Sequence, residues 1–166
     1  MNLRVISETE LEFDDRTYRC AVGRNGFTRE KIEGDNCTPV GVFPLRECWW
    51  RADKLAEAPR SPLLTRAIAK DDGWCDEPTD AYYNTHVKLP FAASHEKLWR
   101  KDGVYDVIVP LGYNDDPVQA GKGSAIFLHV AKPDYAGTEG CVALALPDLL
   151  EILQKADAAT AIEIGG

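Results

Sequence analysis

Apolar stretches in this chain are short, and turn residues interrupt nearly all of them, which restricts the fold more than any other feature of the sequence. Leu3 to Ile6, Leu11 to Phe13 and Thr17 to Val22 read as strands separated by polar turns, with Asp14-Asp15 at the tip of a hairpin. Gly41 to Trp50, Val104 to Leu111, Ala125 to Ala131 and Ala161 to Ile164 are further strand segments, rich in β-branched and aromatic residues and bounded by Gly or Pro. Helix signals are few. Pro147 to Ala156 carries proline where a first helical turn tolerates it, and Leu149, Leu150 and Leu153 share one face. Ser94 is placed to cap a short helix through Trp99. The stretch from Asp53 to Pro90, dense in proline and charge, reads as an irregular excursion of the kind that supplies a wall of a binding site. The pattern predicts a mainly β protein with few helices. No repeat or linker divides it, so residues 1–166 are expected to form one domain.

Charge narrows the function. Lys plus Arg number 19 against 27 Asp plus Glu, a net −8, so the chain offers no basic patch for nucleic acid or an anionic membrane. No apolar run approaches the ~20 residues that span a bilayer. Charges arrive early in Met1-Asn2-Leu3-Arg4-Val5-Ile6-Ser7-Glu8, which leaves no room for an export signal. The five cysteines (Cys20, Cys37, Cys48, Cys75, Cys141) form an odd set without a C-x-x-C pair. Together these features lead us to expect a cytoplasmic protein with free thiols.

Histidine is the scarce catalytic residue, present only as His86, His95 and His129. None has partners at metal-ligand spacing, so neither a metal nor any other cofactor is expected. His129 stands apart because it lies in the most apolar strand, Ala125-Ile126-Phe127-Leu128-His129-Val130-Ala131. Its ordinary reading is a core histidine satisfied by backbone. A second feature weighs against that reading. Thr138-Glu139-Gly140-Cys141-Val142 places a cysteine twelve positions beyond the histidine, after a loop turned by Pro133 and Gly137. Such a loop can return the chain beside the histidine strand and bring thiol and imidazole together, as a cysteine nucleophile requires. Gly140 would let its N–H and that of Cys141 converge as an oxyanion hole. The other four cysteines have no histidine in a comparable frame and read as small buried hydrophobes.

At these residues the chain resembles the L,D-transpeptidase catalytic domain family, the YkuD-like enzymes of bacterial peptidoglycan. His129, Thr138, Gly140, Cys141 and Val142 occupy the places of its His, then Ser/Thr-x-Gly-Cys and a small or β-branched residue. A second family hallmark lies upstream, with Gly34 followed by Thr38-Pro39-Val40-Gly41-Val42-Phe43, a segment we read as architectural. The resemblance runs from about Leu3 to Leu153. It implies a YkuD-like β-sandwich with a C-terminal helix, and a Cys141–His129 pair whose ring is oriented by the Val130 carbonyl. The chain departs from many exported members in two places. Glu139 stands where they have His before Gly-Cys, and Ala143 where they have Arg two places after the cysteine.

Further segments are similar to smaller, signal-less members: Gly73-Trp74-Cys75-Asp76-Glu77-Pro78, Tyr82-Tyr83-Asn84 and Leu111-Gly112-Tyr113-Asn114-Asp115-Asp116-Pro117. Aromatic, amide and carboxylate groups around turns suit a zwitterionic peptide, with Trp74 and Tyr113 covering apolar surface and Asp76 or Asp115 meeting an ammonium group. Asn84 and Thr138 complete the expected substrate-binding set. The same residue types also plug sandwich ends and build turns. The resemblance and the early charges together imply a cytoplasmic L,D-carboxypeptidase that removes the terminal D-alanine from murein tetrapeptides or muropeptides in wall recycling. The alternatives are an L,D-transpeptidase and a non-catalytic muropeptide-binding module.

Overall fold

The hairpin at the amino end shows how turn chemistry sets strand pairing here. Asp14 and Asp15 both take positive φ, 52° and 59°, in the primed turn whose twist matches the flanking strands. The computed structural model describes residues 1–165. Its elements are β1 (Leu3–Val5), β2 (Glu10–Phe13), β3 (Arg16–Ala21), β4 (Phe27–Thr28), β5 (Thr38–Pro39), β6 (Gly41–Pro44), β7 (Cys48–Trp50), β8 (Thr65–Ala67), β9 (Asp72–Cys75), β10 (His86–Lys88), β11 (His95–Lys97), β12 (Val107–Pro110), β13 (Phe127–Val130), β14 (Val142–Leu144), α1 (Leu146–Lys155) and β15 (Ala161–Ile164).

Ten strands form one sheet in the order β6-β15-β1-β2-β3-β14-β13-β12-β7-β8. The sheet folds over on itself, because Leu3, Leu11, Ile162 and Ile164 of its first half share one core with Val107, Leu128, Val142 and Leu144 of its second. Helix α1 closes that core with Leu149, Ile152 and Leu153, all fully buried. This is the curled, mainly β architecture with a C-terminal helix of a YkuD-like sandwich. The other face of β7, β12 and β13 is also covered. Trp49, Ile108 and Phe127 pack there with Leu98, Val104 and Tyr105 in a second core. A strand buried on both faces need not alternate, which explains why β12 reads as unbroken apolar residues.

Several local expectations change. Gly41 to Trp50 is two strands, since Pro44 closes β6 beside β15 and the chain then crosses to the opposite half as β7. The Val104 to Leu111 segment enters its strand only at Val107, after a turn that ties Asp106 N–H to the Gly103 carbonyl. Ala125 to Ala131 begins as a strand only at Phe127, because Ala125 sits at φ 52°. The helix expected from Ser94 to Trp99 is instead β11, whose pairing with β9 outweighs a weak local capping signal. The excursion from Asp53 to Pro90 contains β8, β9 and β10. Their polar sequences hide them from a search for apolar alternation, but β9 joins β10 and β11 in a three-stranded sheet.

Candidate active site

Parallel pairing of β13 and β14 sets the geometry of the site. Leu128 pairs with Val142, and His129 with Ala143. Leu128 and Val142 face the main core, so Phe127, His129, Cys141 and Ala143 lie on the opposite face, with the thiol diagonal to the imidazole. The Cys141 sulfur accepts from Phe127 N–H at 3.3 Å and donates to the Ala125 carbonyl at 3.2 Å. His129 Nδ1 donates to the Val130 carbonyl at 2.9 Å, which makes Nδ1 the protonated nitrogen and leaves Nε2 unprotonated. The edge of Tyr105 lies 5.6 Å from the imidazole, centroid to centroid.

Burial decides the resting charges. It pushes the Cys141 thiol up to about 12, helped by the neighbouring Glu96 carboxylate, and pulls His129 down to about 4 against the bond to Val130. The pair therefore rests neutral, with the thiol bonded to Ala125. Moving the proton from the thiol to the imidazole is costly in this resting site, and the cost falls only to the extent that the two ions compensate each other.

The turn before Cys141 is held by residues of both sequence motifs. Thr138 Oγ1 accepts from Gly140 N–H at 3.1 Å and donates to the Cys141 carbonyl at 2.7 Å. Gly140 has φ 139°, and a Cβ there would meet the Cys37 carbonyl at 2.8 Å. Thr38, wholly buried, accepts from Gly23 N–H at 2.8 Å, and a Cβ on Gly23 would press on the Asn36 carbonyl at 2.4 Å. The Thr-Pro segment is thus the support on which the Gly-Cys turn rests. The expected pair of oxyanion donors changes accordingly. The Gly140 N–H is engaged by Thr138, whereas among the described residues the Cys141 N–H has no acceptor.

Cys141 and His129 open onto a cleft of about 650 Å³, whose walls include Thr138 and Asp76. The other four expected binding residues lie elsewhere. Asn84 is 5% exposed and fully engaged: its Oδ1 accepts from Trp74 Nε1 and Ala125 N–H, both at 3.0 Å, and its Nδ2 donates to the carbonyls of Tyr113 and Asn114. Trp74 packs its edge on Phe127, 5.1 Å between centroids. Tyr113 donates to the Lys122 carbonyl and lines a second depression with Asp115, which pairs with Arg46 at 2.9 Å. Sequence reading missed Glu33, Glu96, Tyr105, Arg24, Arg100 and Lys132, all of which line the cleft. Lys132, three places after His129, was the one with a visible signal. Among the described residues, no group of three or more His, Cys, Asp or Glu side chains is arranged to hold a metal ion, and no helix is long and apolar enough to cross a membrane.

A cysteine and a backbone-oriented histidine line one polar cleft of the β-sandwich, which are the residue types that thiol acyl transfer requires. The family model for the YkuD L,D-transpeptidase catalytic domain matches residues 7–164, and the chain belongs to that family. No curated protein and no solved structure matches the chain. Membership makes it an L,D-transpeptidase-type enzyme, a cysteine-dependent class that acts on peptidoglycan-derived peptides.

Proposed function

We propose that the protein is an L,D-carboxypeptidase that releases D-alanine from murein tetrapeptides through a cysteine acyl-enzyme. The observation that carries the reading is the placement of Cys141 and His129 on one face of β13–β14, with the Nδ1 of His129 committed to Val130. His129 Nε2 takes the thiol proton as Cys141 Sγ attacks the carbonyl at the L-centre of the third residue. The oxyanion is held by Cys141 N–H, which has no acceptor among the described residues. The C–N bond then breaks as the imidazolium gives its proton to the departing D-alanine amine. Water, deprotonated by the same nitrogen, attacks the thioester, and Cys141 leaves as a thiolate that recovers the proton.

Two features favour water over an amine as the second acceptor. Ala143 lines the cleft where many cross-linking members carry arginine, so that position brings no charge to a second peptide. The five cysteines are all free, a pattern suited to the reducing cytoplasm, where soluble tetrapeptides rather than assembled wall are at hand. Tetrapeptide offered with a modest excess of a D-amino acid is expected to yield mainly tripeptide, read by mass. Predominant exchanged tetrapeptide or peptide dimer would assign the enzyme to transpeptidation, with Cys141 and His129 in the same roles.

A further inference from the structure

Ionising the Cys141 thiol is opposed first by burial and then by charge. Glu33, Asp76, Glu96 and Glu139 line the cleft, and Glu96 and Glu139 bear directly on the thiol. Arg100, Asp102 and Lys132 bear on the imidazole instead. Tyr105, which packs beside the sulfur, is kept neutral by burial with its hydroxyl on Glu96. What favours the thiolate is the Phe127 N–H and the cation Lys31.

Lys31 does not line the cleft, and its side chain is 4% exposed. Its stem runs between the two turns that set the sulfur. A Cβ on Gly123 would meet Lys31 Cγ at 2.9 Å, and one on Gly140 would lie 3.6 Å from Cε. Gly123 leads to Ala125, whose carbonyl accepts from the thiol, and Gly140 precedes Cys141 itself. The Lys31 ammonium donates to the Ile32 carbonyl at 3.3 Å and to Asp35, which leaves one of its three N–H groups uncommitted among the described residues. The Asp35 carboxylate is shared with Ile32 N–H at 3.0 Å and Cys37 N–H at 2.9 Å, so it neutralises the ammonium only in part. A positive charge fixed in this way needs no reorganisation when negative charge develops beside it.

We infer that Lys31 is a positioning residue for the nucleophile: its buried ammonium, anchored on Asp35 and seated between Gly123 and Gly140, favours the Cys141 thiolate as the proton passes to His129. The inference rests on the reading of Cys141 as nucleophile and adds what makes its ionisation accessible. It is tested by the rate at which iodoacetamide alkylates Cys141, followed against pH by digestion and mass spectrometry, which reports the thiolate without turnover. Lys31→Met keeps an unbranched stem and removes the charge, and should slow alkylation about tenfold at each pH below the midpoint of the thiol. That change strands Asp35. Lys31→Met combined with Asp35→Asn removes both charges together and should still slow alkylation by roughly threefold or more. Turnover of tetrapeptide should fall in kcat by a similar factor with KM unchanged. A site that had merely loosened would expose the thiol and speed its alkylation. Alkylation of either folded variant at or above the wild-type rate would overturn the inference. Turnover separates the two readings. A wild-type protein that cleaves tetrapeptide, with variants alkylated as fast as wild type, upholds the carboxypeptidase and defeats the role of Lys31, whereas slowed alkylation in a protein that cleaves no tetrapeptide does the reverse.

Discussion

Cys141→Ala is expected to lower turnover of a murein tetrapeptide by on the order of 10⁴-fold or more, because the acyl-enzyme route loses its nucleophile and the oxyanion donor alone recovers little. The fold should survive. The substitution removes one sulfur atom and its two hydrogen bonds, to Ala125 and from Phe127, at a position already 7% exposed, which costs about 1–2 kcal/mol. Circular dichroism and thermal melting of the variant report that cost separately from activity. Cys37→Ala and Cys75→Ala serve as controls and should retain turnover, since neither thiol opens onto the reactive cleft. A Cys141→Ala protein that still cleaves tetrapeptide would place the chemistry at another residue.

Asn84→Ala is expected to destabilise the protein by about 3–5 kcal/mol, seen as a lower midpoint of denaturant unfolding. Its side chain satisfies four groups from three segments, and its removal leaves Trp74 Nε1, Ala125 N–H and the carbonyls of Tyr113 and Asn114 without their partner. Asn84 also sits at φ 55°, a region that alanine tolerates less well than asparagine. The effect should reach the site through Ala125. That residue is held at φ 52° with its N–H on Asn84 and its carbonyl on the Cys141 thiol, so releasing one end frees the group that sets the sulfur. Activity measured below the unfolding transition should fall through kcat. A variant of near-native stability with a raised KM would instead show that Asn84 meets the substrate.

The contrast between Asn84 and Cys141 shows what the sequence can and cannot disclose. The cysteine and histidine were legible because a parallel β13–β14 pair joined by a turned loop constrains both residue type and spacing, and Gly140 and Thr138 mark that turn locally. The strands of the folded-over sheet were legible where apolar residues cluster, and α1 where the leucines recur at helical spacing. Asn84, Tyr113 and Asp115 have the residue types of a peptide-binding surface, but the tertiary structure uses them otherwise: to anchor the Ala125 turn, to edge onto Phe43 and to pair with Arg46. The acidic wall was hidden for the opposite reason. Glu33, Asp76 and Glu96 lie in three polar segments without periodicity, and only the packing of the β9–β11 sheet and the Lys31–Asp35 loop around Cys141 brings them to one cleft. Glu96 was doubly obscured, since it lies on β11, where a helix was expected.

Mass spectrometry of the intact protein, quenched soon after mixing with excess tetrapeptide, addresses the acyl-enzyme directly. The mechanism predicts a covalent adduct equal to the tetrapeptide less its terminal D-alanine, located by digestion on the fragment that contains Cys141 and released by hydroxylamine as a thioester should be. The adduct should be absent from Cys141→Ala and should form slowly in His129→Gln, which keeps a polar side chain but loses the base. Cleavage of tetrapeptide with an adduct on any other residue, or an adduct that persists in Cys141→Ala, would contradict the assignment of Cys141 as the nucleophile.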